Sequence, residues 1–407
     1  MKKESKEQES GQYSPSREQD LPREGGNENE NVLSKTGEAD QELEEEEDDE
    51  NEDEEEQDLN TQATPPSSVR KVVFVIGPGR TGTSLLGDLF NNQEDYLYFF
   101  EPLKAVQDYN QIDYFAEADF KRTIFYAEEA FEFLRDISRC SFRARNDRYL
   151  RHYDVKSIMK SKKLSSAYYL RCQADSCMPL NHTTMNQLCG ELNILKVVVK
   201  ELSFRMPYSR MASLEQLSLP GDFEILLLHA MRDPRAFFHS KHKLGWFGDD
   251  HVNPNKHLRP YVQRSCSLIQ QNIDAFKGNQ TGKRVKYRLF RYEDLLFRNL
   301  TLFGESVGRF LGFPSTSKVA DFFRKKTRGP RMRYNKQFST SSRDIKIVIN
   351  KWRDAKETNF TFVELIQTLC AGVMAELGYD LVASEYHERD TTVSLVKEPS
   401  SEIATFP

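Results

Sequence analysis

The chain lacks any apolar run long enough to cross a membrane as a helix, which takes about 20 residues. Its 407 residues also begin without the pattern of a secretory signal peptide. Taken literally, these two absences predict a soluble, cytosolic protein. Four N-x-S/T sequons, at Asn181, Asn279, Asn299 and Asn359, point instead toward a secretory compartment, although such sequons also arise by chance.

Aromatic residues and positive charge are scarce in the first 68 residues. This segment carries 6 Lys and Arg against 24 Asp and Glu, and it includes ELEEEEDDENEDEEEQD. It cannot bury enough apolar surface to offset its conformational entropy, so residues 1–68 are predicted to be a disordered acidic tail or stem. Residues 69–396 are predicted to form one basic globular domain, which suits an anionic ligand, and residues 397–407 a C-terminal tail.

Cysteine is sparse, with six residues in the whole chain. Four of them lie at Cys140, Cys172, Cys177 and Cys189, a C-x4-C pair with distant flanks that is a poor zinc pattern. Disulfides in an oxidising compartment and buried thiols both fit the spacing.

Short apolar runs alternate with amphipathic segments along the folded part. Strands are predicted at 71–76, 96–103, 193–200, 223–231 and in VKYRLFRYEDLL, and helices at 124–137, 234–243, 259–276 and in TFVELIQTLCAGVMAELG. Residues 138–190 are predicted to be irregular. The alternation predicts an α/β fold of the P-loop-like type, with a central parallel sheet and helices on both faces.

The turn after the first strand, GPGRTGTS at 77–84, lacks the lysine of the nucleotide-binding pattern G-x-x-x-x-G-K-S/T, because Thr83 stands in its place. Glycines, hydroxyls and Arg80 before a helix still make an anion site. Without the lysine and a clean carboxylate for magnesium, triphosphate hydrolysis is disfavoured. We therefore predict a ligand with fewer phosphates and no metal, the alternative being an ordinary strand–helix turn.

A second basic element, MRDPRAFFHSK at 231–241, follows the fourth strand. Arg232 stands at the strand end, where parallel sheets collect their ligands. Asp233 is the expected N-cap of the next helix and Pro234 its first residue. The alternative is an Arg–Asp surface pair beside a capped helix.

Several stretches together resemble the Golgi carbohydrate sulfotransferases. GRTGTSLLGDLFNNQEDYLYFFEPL and LLLHAMRDPRAFFHSK are similar to that family's two donor-binding elements. LFRYEDLLFRNL, RFLGFP and CAGVMAELGY are similar to its later landmarks, in the same order. The likeness is greatest to the galactose, N-acetylglucosamine and N-acetylgalactosamine 6-O-sulfotransferases, and the ending leans toward the keratan sulfate galactose enzymes.

The resemblance implies a sulfuryl donor, 3′-phosphoadenosine 5′-phosphosulfate (PAPS), and no metal. Its 5′-phosphosulfate would be held by Gly79, Arg80, Thr81, Gly82, Thr83, Ser84 and Leu85. The element for its 3′-phosphate would comprise Arg232, Asp233, Pro234, Arg235 and Ser240. Of these, Arg232 and Ser240 would contact the phosphate. Glu101 would take the proton of the acceptor hydroxyl and Arg80 would stabilise the leaving group, while Lys200 is a further candidate to assist.

The residues leave alternatives to these roles. Glu101 also fits a helix-cap or salt-bridge carboxylate, and His229, His239 and His242 are other candidate bases, with His229 expected in the core.

The implied acceptor is a glycan of the keratan type, and no nucleic acid is expected. The implied location is the Golgi lumen or membrane, although the family's usual N-terminal membrane helix is not visible in this chain. A P-loop kinase for small molecules and a non-catalytic protein that binds anions or glycans are the competing interpretations.

Overall fold

A computed structural model describes residues 70–112, 120–170, 172–173, 176–177, 180–191, 196–245, 254–278, 280–328, 344–354, 356 and 358–407. The predicted acidic tail lies outside these residues, as does the sequon asparagine Asn279. The tail therefore stays a prediction.

The described strands form one large sheet and one small one. Their bounds are β1 Arg70–Gly77, β2 Tyr96–Phe100, β3 Cys172–Gln173, β4 Ser176–Cys177, β5 Lys196–Leu202, β6 Phe223–Met231 and β7 Val285–Arg291. The large sheet is parallel throughout, in the order β2-β5-β1-β6-β7, and β3 pairs with β4 antiparallel. The predicted central parallel sheet is confirmed.

Helices lie between β1 and β2, between β2 and β5 and between β6 and β7, and others follow β7, whereas the β5–β6 connection contains short 3-10 segments. Their bounds are α1 Thr83–Asn91, α2 Leu103–Tyr109, α3 Phe120–Arg139, α4 Asp147–His152, α5 Val155–Ile158, α6 Lys162–Tyr169, α7 His182–Glu191, α8 Pro234–His242, α9 Pro254–Asp274, α10 Asp294–Phe297, α11 Leu300–Leu311, α12 Thr316–Thr327, α13 Ile345–Asn350, α14 Phe360–Leu369, α15 Ala371–Glu376 and α16 Glu385–Arg389. Within the described ranges, none of these helices has the length and apolarity to cross a membrane.

Both faces of the large sheet are buried, as its central strand shows. Side chains of β1 alternate between the faces, so Val72, Phe74 and Ile76 join one apolar cluster while Val73 and Val75 join another. A parallel strand covered on both sides reads as a continuous apolar run, and for this reason the sequence alone located β1. The two clusters confirm the prediction of helices on both faces.

Two segments differ from their predicted secondary structure. The stretch 138–190 was expected to be irregular, yet it contains α4, α5, α6 and α7. These helices are short and depend on caps such as Asp154 and Ser161, whose side chains accept backbone N–H bonds, so their periodicity is weak in the sequence. The single helix expected near the C-terminus is two, α14 and α15, separated at Cys370.

Two disulfides join cysteines whose side chains the structure describes. Cys140 bonds to Cys189 and Cys266 bonds to Cys370, with Cα–Cα distances of 5.7 and 5.3 Å. The second bond ties α9 to the break between α14 and α15. These four residues are therefore disulfide-bonded and are not buried thiols. Disulfides persist in oxidising compartments.

The last residues of the chain pack along the sheet. The Leu289 N–H of β7 donates to the Ala404 carbonyl oxygen at 2.9 Å, and Leu289 and Thr405 form a parallel bridge. Ile403 and Phe406 are buried. Part of the expected C-terminal tail, 397–407, therefore covers the β7 edge.

Candidate active site

The loop between β1 and α1 lies at the carboxyl edge of the sheet. Its backbone is left-handed at Gly79 (φ 87°), Arg80 (φ 63°) and Gly82 (φ 92°). Gly82 has a second reason to be glycine, because a Cβ there would lie 2.6 Å from the Tyr292 ring. The left-handed region is costly for arginine, and residues held in such conformations cluster at functional sites.

Helix α1 begins at this loop without a side chain that caps its first N–H groups. Its N-cap is Gly82, which offers no side-chain cap, and its first turn contains Thr83, Ser84 and Leu85 without any acidic residue. The hydroxyl oxygen of Thr81 is buried and has no hydrogen-bond partner in the described part of the chain. Free N–H groups at a helix start, with the positive end of the helix dipole, favour an anion.

The predicted donor elements meet across the sheet. Arg80 Nε donates to Ser240 Oγ at 3.0 Å, although the two residues are 160 positions apart. Arg232 donates from Nη1 to the Arg80 carbonyl oxygen at 3.5 Å and from Nη2 to the Val348 carbonyl oxygen at 2.7 Å. Arg232 is 8% exposed, and its Nε has no partner among the residues that the structure describes. Two arginines and a serine hydroxyl thus form one cluster beside the loop.

The neighbours of Arg232 face the interior instead. Asp233 caps α8 and accepts from Arg235 Nε at 3.0 Å and Nη2 at 2.8 Å, while Arg235 Nη1 donates to the Asp380 carbonyl oxygen at 2.9 Å. The fully buried Arg235 guanidinium lies 4.3 Å from the centroid of a Trp352 ring. Pro234 begins α8 as predicted. Donor contacts of Asp233, Pro234 and Arg235 remain predictions, and the observed contacts of Asp233 and Arg235 hold the fold together.

Glu101 lies at the end of β2 with a left-handed backbone, φ 53°. Lys200 Nζ donates to one carboxylate oxygen and Arg205 Nη1 donates to the other at 2.6 Å. Lys200 belongs to β5, which separates β2 from β1, so Glu101 is about 10 Å from the β1 loop at two strand spacings. The salt-bridge interpretation of Glu101 therefore describes the observed contacts.

These contacts set the charge of Glu101. Burial is the largest single influence and raises its pKa, but the charges and hydrogen bonds of Lys200 and Arg205 together outweigh burial and bring the pKa to about 2. Burial also raises the pKa of Glu201, which shares Arg205 at 3.2 Å. Glu101 is thus ionised and ready to accept a proton, yet weakly basic while both cations hold it.

The three histidines are weaker candidates than Glu101 for the base that accepts the hydroxyl proton. His229 is buried in β6 with Nδ1 3.1 Å from the Tyr287 hydroxyl oxygen, and burial lowers its pKa to about 3, so it is the core residue expected. Burial, followed by nearby positive charges such as Lys243, lowers the pKa of His239 to about 4. His239 and His242 line a cleft of about 610 Å³ between α8, α9 and α14.

Three residues of this region were not predicted from the sequence. Arg205 holds Glu101, and Glu293 accepts from the Asp233 N–H at 3.1 Å and from the Tyr379 hydroxyl at 2.7 Å. Tyr292 packs against the loop. Tyr292 and Glu293 directly follow β7, so their place at a strand end, like that of Arg232, is the signal in the sequence that marks them. Arg205 gave no such signal, because its bond to Glu101 spans 104 residues.

The fold and site define an α/β protein with a P-loop-like glycine loop at the carboxyl edge of a parallel sheet. In the described ranges, no group of three or more His, Cys, Asp and Glu side chains has an arrangement that would hold a metal ion.

Comparisons with known proteins find carbohydrate sulfotransferases among the relatives of this chain. The chain is 26% identical to mouse carbohydrate sulfotransferase 1 over 356 residues, covering 80% of this chain and 83% of that one. It is 24% identical to mouse carbohydrate sulfotransferase 3 (82% and 73% covered) and 28% identical to mouse carbohydrate sulfotransferase 5 (80% and 84% covered). No family model matches the chain. Together with the order of its motifs, these relatives confirm the predicted resemblance of the chain to the carbohydrate sulfotransferases.

Proposed function

We propose that this protein transfers a sulfuryl group from PAPS to the 6-hydroxyl of galactose or N-acetylhexosamine residues in glycans such as keratan sulfate. The observation that carries the proposal is the junction of the two anion elements, in which Arg80 bonds to Ser240 and Arg232 bonds to the Arg80 carbonyl. The relatives are named as carbohydrate sulfotransferases, which supports the same reaction.

The residues present fit a donor with phosphate groups at both ends of its ribose. The 5′-phosphosulfate would lie on the α1 N-terminus and the loop from Gly79 to Leu85, where the Thr81 hydroxyl lacks a partner in the described chain. The 3′-phosphate would lie at Arg232 and Ser240, where Arg232 Nε likewise lacks one. A buried polar atom without a partner is costly, so a ligand that satisfies it gains affinity.

The chain would perform an in-line transfer. A bond forms between the acceptor oxygen and sulfur as the sulfur–oxygen bond to the 5′-phosphate breaks, and Glu101 accepts the hydroxyl proton. Arg80 stabilises the charge that develops on the leaving phosphate. Lys200, on the strand between Glu101 and the loop, would assist if its charge shifted from Glu101 toward that phosphate. Losing one cation would raise the pKa of Glu101 and make it a better base at the moment of transfer.

The proposed compartment is the Golgi lumen or membrane. The two disulfides support an oxidising compartment. Asn299 and Asn359 are exposed residues that start helices, so both sequons lie on the surface.

Calorimetry and a transfer assay test the proposal. We expect binding of 3′-phosphoadenosine 5′-phosphate (PAP), and labelled sulfate on the 6-position after incubation with PAPS and desulfated keratan or chondroitin. Binding of ATP with magnesium but not of PAP would instead establish the kinase interpretation. Binding of PAP without transfer to any acceptor would establish a non-catalytic protein.

A further inference from the structure

Tyr292 lies where three separate parts of the sheet edge meet. It directly follows β7, and its N–H donates to the Met231 carbonyl oxygen at the end of β6 with a distance of 2.8 Å. Arg232 is the next residue after Met231, and Gly82 ends the loop that follows β1, on the other side of β6. The backbone therefore fixes Tyr292 beside both predicted donor elements.

The Tyr292 ring contacts each of these elements. Its Cδ2 lies so close to Gly82 that a Cβ there would be 2.6 Å away. On the other element, Arg232 Cζ lies 5.2 Å from the ring centroid, within the range of a cation–π contact.

The Tyr292 ring adds to the contacts that orient Arg232. Its Nη1 and Nη2 donate to two carbonyl oxygens, and one of these bonds is long at 3.5 Å. The ring restricts the remaining rotation of the guanidinium, so it would keep Nε, which has no partner among the described residues, pointing in one direction. Glu293 adds a backbone anchor by accepting the Asp233 N–H.

We propose that Tyr292 is a positioning residue for the donor, which orients Arg232 for the 3′-phosphate and supports the loop at Gly82. This inference rests on the proposed function. Because the Tyr292 ring supports Arg232, its removal should have a selective effect. It should weaken the binding of ligands that carry a 3′-phosphate more than the binding of ligands that carry only a 5′-phosphate.

Calorimetry with PAP and AMP on the same preparations of full-length protein tests the inference. The ratio of the AMP dissociation constant to the PAP dissociation constant reports the grip on the 3′-phosphate. We expect this ratio to fall about fivefold in Tyr292→Leu, the size of a partly desolvated cation–π contact, and to be restored in Tyr292→Phe. In the transfer assay, the KM for PAPS should rise about fivefold in Tyr292→Leu while kcat changes less than twofold.

The controls separate positioning from general damage. Tyr386→Leu makes the same change at an 84% exposed tyrosine and should leave the ratio as in the wild type. Partial unfolding removes the binding sites for PAP and AMP equally, so it leaves the ratio of the two dissociation constants unchanged. If the Tyr292→Leu variant is insoluble, Tyr292→Met replaces it. An unchanged ratio without the ring overturns the inference alone. Absence of PAP binding by the wild type overturns the proposed function and the inference together.

Discussion

Replacing Glu101 with glutamine tests how much the ion pairs of Glu101 stabilise the folded protein. The change keeps the size of the side chain and removes its charge, as protonation would. Since the pKa of Glu101 falls from 4.5 to about 2 in the folded protein, the charged form contributes about 3 kcal/mol relative to the neutral one. We expect Glu101→Gln to lower the free energy of unfolding by about 3 kcal/mol at pH 7.

The sign of the pH dependence follows from the lowered pKa. The contribution is complete above the unfolded pKa of about 4.5 and is lost as the pH falls through the folded pKa of about 2. The difference between wild type and Glu101→Gln should therefore shrink to about 1 kcal/mol at pH 3. Urea denaturation at both pH values measures it.

A matched control is available on the surface. Glu398 also accepts from an arginine, Arg298, but its side chain is 74% exposed. Exposed ion pairs contribute about 0–1 kcal/mol, so Glu398→Gln should lower the unfolding free energy by less than 1 kcal/mol at pH 7. Equal losses at pH 7 and pH 3 for Glu101→Gln would refute the electrostatic account.

The same variant tests the proposed base. We expect kcat for sulfate transfer to fall at least about 100-fold in Glu101→Gln, while the PAP dissociation constant stays within twofold, because the carboxylate acts on the acceptor. A variant that keeps its full rate would show that another group takes the proton.

Three further changes test the rest of the architecture. Asp233→Ala leaves a fully buried guanidinium without its carboxylate and removes a helix cap, so the unfolding free energy should fall by about 3–5 kcal/mol in urea titrations, and a loss under 1 kcal/mol would contradict this. Gly82→Ala forces a Cβ into the left-handed region and against Tyr292, and PAP affinity in calorimetry should drop at least tenfold; wild-type affinity would contradict the packing. Cys266→Ala removes the bond to Cys370 and should lower the unfolding free energy by about 2–5 kcal/mol, seen as a lower midpoint of thermal unfolding than in the wild type, and an unchanged midpoint would argue against the bond.

Local patterns predicted the parts of the site that are local in the chain. The strand–glycine–helix unit of β1 and α1 and the capped start of α8 each lie within one short stretch. Their physics is the same in any fold: a buried strand is continuously apolar, and a helix start needs a cap. The expected role of Ser240 at the 3′-phosphate came from the family resemblance, since spacing alone did not mark it as a ligand, and its bond to Arg80 was not predicted.

The contacts across strands escaped prediction. The sequence shows Glu101 at a strand end, but it does not show that Lys200 and Arg205 hold both of its oxygens. Similarly, RDPR contains two arginines of the same appearance, yet Arg232 lies at the loop and Arg235 lies on Trp352. Which arginine faces a ligand is decided by packing between distant segments, and one sequence does not encode it locally.

The C-terminal segment along β7 has a consequence for solubility. A bare edge strand presents unpaired N–H and C=O groups that can pair with another chain, and apolar edges are common starting points for aggregation. Here the Leu289 N–H is already bonded to the Ala404 carbonyl, and Phe406 packs edge-on against Phe303 and Phe310. The C-terminal residues therefore block intermolecular pairing at the β7 edge. We expect a recombinant form truncated at the C-terminus to aggregate more readily, even with every site residue intact.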